Sequence, residues 1–324
     1  MIVSVIIPVY NVSEYIEECL VSVTQQTYTS IEVLVVDDCG TDDSIAKVEK
    51  FVKAYHGPID FRILHHTCNR GLSAARNTGM DAAKGEYIYF LDSDDYIYQE
   101  CIKILVETIT QEDGIDCAFG NFDRNNPFPP HIKVNSGVYS NGMSLFSNRD
   151  IYVMAWNHLY RTSFLRSHSL RFLEGIIHED ILWSFSVYCH IGKIAITDKI
   201  TYFYRDRSCS ICYKELSERY NDICKICKSI VEYVFECNLE EEKKIFLFAN
   251  KELKRYYLLP IYSKQPELAI AFYNTLRQMT YWSFGQIWSL SHDKRRMLLH
   301  VHRILPKRIG FRYFQYVFAK KFDK

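Results

Sequence analysis

Apolar and polar positions change period repeatedly along the first hundred residues. Ser4 to Val9 is a short β-branched apolar run, the mark of a strand buried on both faces. Tyr15, Ile16, Cys19, Leu20 and Val23 then recur at helical spacing, with Asn11 or Ser13 as N-cap and Glu14, Glu17 and Glu18 in the first turns. Ile31 to Val36 is a second buried strand that ends in Asp37-Asp38, and Thr41 opens a second helix reaching about Tyr55. Phe61 to His65 is a third strand, Gly71 to Ala83 a third helix, and Tyr87 to Leu91 a fourth strand ending in Asp92-Ser93-Asp94-Asp95. This alternation predicts an α/β fold: a Rossmann-like, mostly parallel sheet with helices on both faces.

The pattern then loosens. Phe128-Pro-Pro130 and the Asn/Ser/Gly-rich run from Asn135 to Asn148 mark loops. Ile176 to Tyr188 reads as a helix starting near His178-Glu-Asp180, and Ile194 to Thr197 and Thr201 to Tyr204 as short strands. Beyond Arg207 the periodicity is helical. The expected division is therefore an α/β domain over 1–207 and a helical region over 208–324.

Composition narrows the classes. The chain has 324 residues, 48% hydrophobic and 24% charged, an ordinary globular mix with zero formal net charge. No global field points to nucleic acid. No stretch is long and apolar enough to cross a membrane, and the opening run reads as a strand rather than a signal peptide. The eleven cysteines then read as reduced thiols of a cytoplasmic protein. Cys209-x-x-Cys212 and Cys224-x-x-Cys227 have zinc-ribbon spacing, but both pairs lack the usual knuckle Gly or Pro. The second pair is also in phase with Ile223, Ile226, Ile230 and Val231, so the alternative is buried helix-face cysteines.

The turn after the first strand, Pro8-Val-Tyr-Asn-Val-Ser13, carries no G-x-G-x-x-G, and the sequence has no Walker A run and no G-x-S-x-G. A dinucleotide oxidoreductase, a P-loop kinase and an α/β-hydrolase all become poor readings. In parallel sheets, ligands bind beyond the carboxyl ends of the strands. Three strands end there in polar or acidic residues: Tyr10-Asn11, Asp37-Asp38 and Asp92 to Asp95. In extended chain Asp92 and Asp94 would face one spot, with Asp95 in reach, which suits Mg2+ or Mn2+ shared with substrate phosphates. The alternative is an Asp-rich turn that merely closes a strand.

Val5-Ile-Ile-Pro-Val-Tyr-Asn11, Val35-Val-Asp-Asp38, Asn69-Arg-Gly71, Ala75-Arg-Asn-x-Gly79 and Tyr89-Phe-Leu-Asp-Ser-Asp-Asp95 resemble the family 2 inverting glycosyltransferases of the GT-A fold, bacterial surface-polysaccharide type. Trp156-Asn-x-Leu-Tyr160 and His178-Glu-Asp180 fit the same pattern, so the resemblance covers residues 2 to 206. It implies that Pro8, Val9 and Tyr10 line the nucleoside, that Asp38 accepts a ring N–H of a base such as uracil, and that Arg76 approaches the donor. Asp92, Ser93 and Asp94 would lie at the diphosphate, with Asp92, Asp94 and Asp95 on Mn2+ or Mg2+. Asp180 would be the general base, with Glu179 and Trp156 on the acceptor side. Each has a plainer alternative: a helix-capping loop for Asp37-Asp38, a surface pair with an acid such as Asp81 for Arg76, an acidic helix start for Glu179-Asp180, and a core aromatic for Trp156.

The implied activity is transfer of a hexose or N-acetylhexosamine from a UDP-sugar to a glycan or lipid-linked oligosaccharide. The rival is a non-catalytic sugar-nucleotide or glycan-binding module on a degenerate scaffold. From His292 to Lys324 ten Lys or Arg stand against two acids, beside an apolar face of Met297, Leu298, Val301, Ile304 and Leu305. Such a tail suits either an anionic membrane surface on the cytoplasmic side or packing on the catalytic domain.

Overall fold

A computed structural model describes residues 1–125, 135–140 and 153–206, with isolated positions at 142, 145, 222, 225, 226, 229 and 230. The chain divides into two units, Met1–Tyr213 and Lys214–Lys324. The C-terminal helical region, the four cysteines of the C-x-x-C pairs and the basic tail lie outside the described residues, although Ile226 and Ile230 of the apolar stripe are buried.

The first half follows the periodicity. β1 (Val3–Val9), β2 (Ile31–Asp37), β3 (Asp60–His65) and β4 (Tyr87–Phe90) alternate with α1 (Ile16–Thr24), α2 (Ser44–Ala54) and α3 (Leu72–Ala82). The four strands are parallel, in the order β3-β2-β1-β4. Successive side chains of a strand face opposite layers. Val3, Val5, Ile7 and Val9 therefore join Ile16, Leu20 and Val23 of α1 in one core, while Ile6 meets α3 on the other face. Gly79 permits that approach, since a Cβ there would stand 2.4 Å from Ile6 Cγ2.

Pro8 sits in a central strand, where a missing N–H usually costs a ladder bond. Leu91 N–H donates to Ile6 O and Asp38 N–H to Val9 O, so even positions of β1 bond toward β4 and odd ones toward β2. Pro8 thus faces β4 just past its last paired residue, Phe90, where the two strands part and no donor is needed.

The second half departs from simple alternation. β5 (Tyr96–Ile97), α4 (Cys101–Thr110), β6 (Cys117–Arg124), β7 (Gly137–Tyr139), β8 (His158–Arg161), α5 (Thr162–Ser167), α6 (Glu179–His190) and β9 (Ile194–Tyr204) follow. β8 inserts antiparallel between β4 and β6, and the order continues β8-β6-β9-β5, with β7 on β9. The two short strands expected at 194–204 are one, with its irregularity taken up in the pairing to β6 around Asn121. Neither Asn11 nor Ser13 caps α1, which has no side-chain cap. The Asn11 side chain is taken instead by the β2–α2 loop, where its Oδ1 accepts Thr41 N–H at 2.7 Å. Among the described residues no helix is long and apolar enough to cross a membrane.

Candidate active site

Every strand-end cluster singled out from the sequence lies at the carboxyl edge of the parallel half, and each is built differently. Tyr10, at the end of β1, is 47% exposed, whereas Pro8 and Val9 beneath it are buried. Asp37 turns its own loop by accepting Cys39 N–H at 3.0 Å and pairs with His65 at 2.9 Å. Asp38 is buried and accepts the backbone N–H groups of Arg70 and Gly71, each at 2.8 Å, and contacts His66 Nδ1 at 2.7 Å. Neither acid caps α2, whose N-cap position, Asp43, makes no side-chain cap bond; Asp42 before it accepts Ser44 N–H at 3.0 Å. Asp38 fastens the entry of α3, where Gly71 holds a φ of 88°.

The Asp92 to Asp95 segment is a turn rather than extended chain, since Asp95 N–H donates to Asp92 O at 3.0 Å. Exposure still alternates: Asp92 and Asp94 are part-open, Ser93 and Asp95 buried. Asp95 is already engaged, accepting Tyr202 Oη–H at 2.6 Å and Arg205 N–H at 2.7 Å. Burial, then the Asp94 and Asp92 charges, hold its carboxyl well above the ordinary value. Arg205 also donates from Nε to Asp94 O at 3.0 Å and pairs with Glu18 at 2.6 Å. Tyr202 and Arg205 therefore anchor the acidic turn from β9, more than a hundred residues away, and nothing local in the sequence signals this.

Arg76 is the junction of the site. Only 2% of it is exposed, and its guanidinium donates to Asp92 Oδ1 and to Glu179 Oε1, both at 2.7 Å. It also lies 5.2 Å from the Phe172 ring centroid. Burial opposes its charge, but Asp92 and Glu179 outweigh that and hold the guanidinium protonated. The surface pair with Asp81 does not form; Asp81 binds Arg171 instead. Asn77, the next residue of the motif, grips the segment before α6 through Phe172, at 2.9 Å to its O and 3.0 Å from its N.

Asp180 opens α6 beside Glu179. It is tightly surrounded by protein yet keeps an open edge. Burial, with Glu179 adding to it and Arg76 opposing, pushes its pKa up to about 7. His178 before it is left-handed, at a φ of 64°. Asn11, Cys39 and Asn157 share that uncommon conformation, beside Tyr10, Asp38 and Trp156. Trp156 is half-buried, and its ring stacks on Tyr202 at 4.5 Å and Tyr204 at 5.4 Å, with Phe122 edge-on at 5.0 Å.

Asp92 and Asp94 are part-open oxygen donors of the kind a hard divalent cation takes. The carboxylates of Asp92, Glu179 and Asp180 surround the buried charge of Arg76. Among the described residues no group of three or more His, Cys, Asp or Glu is set to hold a metal. A cation at Asp92 and Asp94 would complete its shell with water and substrate phosphate, as Mg2+ or Mn2+ commonly does.

This is a Rossmann-like α/β scaffold with acids gathered at the carboxyl edge of its parallel strands. Residues 4–181 match the family described as glycosyl transferase family 2, and the chain belongs to that family. It is 34% identical over 221 residues to the uncharacterized glycosyltransferase EpsJ of Bacillus subtilis (strain 168), covering 65% of this chain and 62% of that protein. It is 28% identical over 254 residues to the poly(ribitol-phosphate) beta-N-acetylglucosaminyltransferase TarS of Staphylococcus aureus, covering 76% of this chain and 43% of the relative. The chain thus spans less than two-thirds of these relatives' length. The crystal structure of S. aureus TarS 1-349 in complex with UDP-GlcNAc has the same fold, with a TM-score of 0.75 at 24% identity over 99% of this chain and 91% of that one.

Proposed function

We propose that the protein is an inverting glycosyltransferase that moves a hexose or N-acetylhexosamine from a UDP-sugar to an acceptor hydroxyl on a glycan or lipid-linked oligosaccharide. The observation that carries this reading is the Arg76 guanidinium, which touches both Asp92 of the donor-side turn and Glu179 beside Asp180. Displacement at an anomeric carbon needs acids in both places. The acceptor oxygen bonds to the anomeric carbon as the bond to the diphosphate oxygen breaks, the hydroxyl proton passes to Asp180, and UDP leaves. A carboxylate with a pKa of about 7 is well matched to that proton. Asp92 and Asp94 would hold Mn2+ or Mg2+, whose charge, when bound, offsets that of the leaving diphosphate. Asp38 would accept from the base, and Tyr10 would offer it a ring face. The UDP-GlcNAc bound to the structural relative supports a UDP-sugar donor.

Calorimetry tests the donor side. UDP should bind far more tightly with Mn2+ than with chelator, and Asp94→Ala should remove that difference while leaving the thermal transition close to wild type. Equal UDP affinity in chelator would end the metal assignment.

A lipid-linked acceptor would put the reaction at the cytoplasmic face of a membrane, and we propose that the basic residues of 292–324 bind its anionic leaflet. Each Lys or Arg near such a surface contributes about 1 kcal/mol. The full chain should co-sediment with anionic vesicles at low salt and lose them in high salt or without 292–324. A protein that stays in the supernatant at low salt has a structural tail.

A further inference from the structure

We infer that His66 and Thr78 position the carboxylate of Asp38 and so set a preference for uridine over cytidine nucleotides; this rests on the reading that the donor's base lies against Asp38. Asp38 follows β2, His66 follows β3 and Thr78 is on α3, so the three come together only in the folded sheet. His66 Nδ1 lies 2.7 Å from Asp38 Oδ1, and His66 Nε2 lies 2.9 Å from Thr78 Oγ1. The side chains of His66 and Asp38 are 4% and 3% exposed. This is a buried relay, unlike the neighbouring Asp37–His65 pair, whose imidazole is 53% exposed.

The bonding assigns each atom a task. A carboxylate accepts only, so His66 Nδ1 must carry the hydrogen. In the neutral ring, Nε2 then accepts the hydroxyl hydrogen of Thr78; the acceptor-only carboxylate sets this tautomer, and the hydroxyl, able to donate or accept, holds the ring in place. Oδ1 of Asp38 is filled by His66 and by Arg70 N–H, whereas Oδ2 receives Gly71 N–H alone. A carboxylate oxygen has about two lone-pair sites. The remaining acceptor position is thus on Oδ2, in a carboxylate locked from three sides. Uracil presents a ring N–H to such an acceptor. Cytosine presents a ring lone pair at the same place, which the carboxylate repels. The discrimination requires that Asp38 cannot rotate or be replaced by a neutral donor, and His66 supplies that constraint.

The histidine is also held through its backbone. His66 N–H donates to Asp37 O at 2.9 Å, and the Cys39 thiol donates to His66 O at 2.8 Å. The ring is therefore fixed to the same loop as the carboxylate it orients. His66 and Thr78 touch no reacting atom in this reading and act as positioning residues.

Titrating the full chain with UDP and with CDP, at one Mn2+ concentration, tests the inference. Losing a hydrogen bond to a charged group should reduce the UDP-over-CDP affinity ratio about tenfold in His66→Phe, and less in Thr78→Val. His66→Asn, whose amide N–H can stand where Nδ1–H stood, should retain most of the ratio. With saturating UDP-sugar, kcat should stay near wild type while KM rises. A merely structural role would lower the melting temperature and weaken both nucleotides alike. An unchanged ratio in both His66→Phe and Thr78→Val, beside a collapsed ratio in Asp38→Asn, overturns the role of the relay and keeps the base site. An unchanged ratio in Asp38→Asn overturns both.

Discussion

Asp180→Asn is expected to lower kcat by about 10²-fold or more while leaving UDP affinity nearly intact, because a general base acts in the transition state and not in donor binding. The substitution keeps the shape of the side chain and removes its charge and its proton affinity. In the wild-type protein the rate should climb with pH through about 7 and level off above it, since the base works unprotonated. The variant should lose that limb. Stability moves the other way. The folded pKa of Asp180 lies above its ordinary 3.8. Its contribution to stability is therefore fully present below the ordinary value and lost as pH rises through about 7. Above pH 7 the wild type carries a crowded, ionised carboxylate where the variant has a neutral amide, so Asp180→Asn should melt no lower than wild type at pH 8. Near wild-type turnover in this variant would falsify the assignment; a comparable loss in Glu179→Gln alone, with Asp180→Asn active, would transfer the role to Glu179.

Arg76→Met is expected to be the most damaging single change to the fold of the site. The guanidinium is the shared partner of Asp92 and Glu179, whose side chains are 22% and 11% exposed. Methionine fills much of the volume and leaves both acids without their cation. Removing one partner from a buried ion pair costs about 3–5 kcal/mol, and the partial exposure of Asp92 places the loss near the lower end. For a domain of this size that is a fall of about 6–12 °C in melting temperature. Activity should fall as well, since Arg76 ties α6, and with it Asp180, to the acidic turn. Arg76→Lys retains the charge without the fork and should lose less. The measurement is thermal unfolding of the three proteins side by side; a Met variant within about 0.5 kcal/mol of wild type would show that the junction contributes nothing to stability. Arg76 Nε is buried without a hydrogen-bond partner, so the clamp is made by the two terminal nitrogens alone.

The resemblance placed Arg76 toward the donor, and the plain alternative placed it on a helix surface beside Asp81. The surface pair does not form, and the guanidinium is buried between Asp92 and Glu179. Its two partners are 16 and 103 residues away in sequence. Spacing along α3 can name the acids a turn away, and Asp81 is one, but it carries no information about which distant acid arrives from α6. Asp38 is a similar case. Its position at the end of β2 followed from the period of the strand; its contacts with His66, Arg70 and Gly71 depend on β3 and α3 arriving beside it. Asp95 differs in kind. As one of three close carboxylates it reads as a further cation ligand; the structure adds Tyr202 and Arg205, each donating to one of its oxygens from across the chain.

The sequence by itself determined the first four strands and three helices, because a strand buried on both faces and an amphipathic helix each leave a local period, and short parallel crossovers leave little choice of topology. It also determined that Tyr10, Asp38 and Asp92 meet at one edge, since parallel strands end together. Only the tertiary structure decided the antiparallel insertion of β8, the single long β9, and the stacking of Trp156 on Tyr202. Antiparallel pairing between distant strands is chosen by which surfaces remain uncovered after the first half has folded, and no local period encodes that choice. The same holds for charge: which carboxylates Arg76 neutralises, and which has its pKa pushed up to about 7, depends on burial and on partners brought from across the chain.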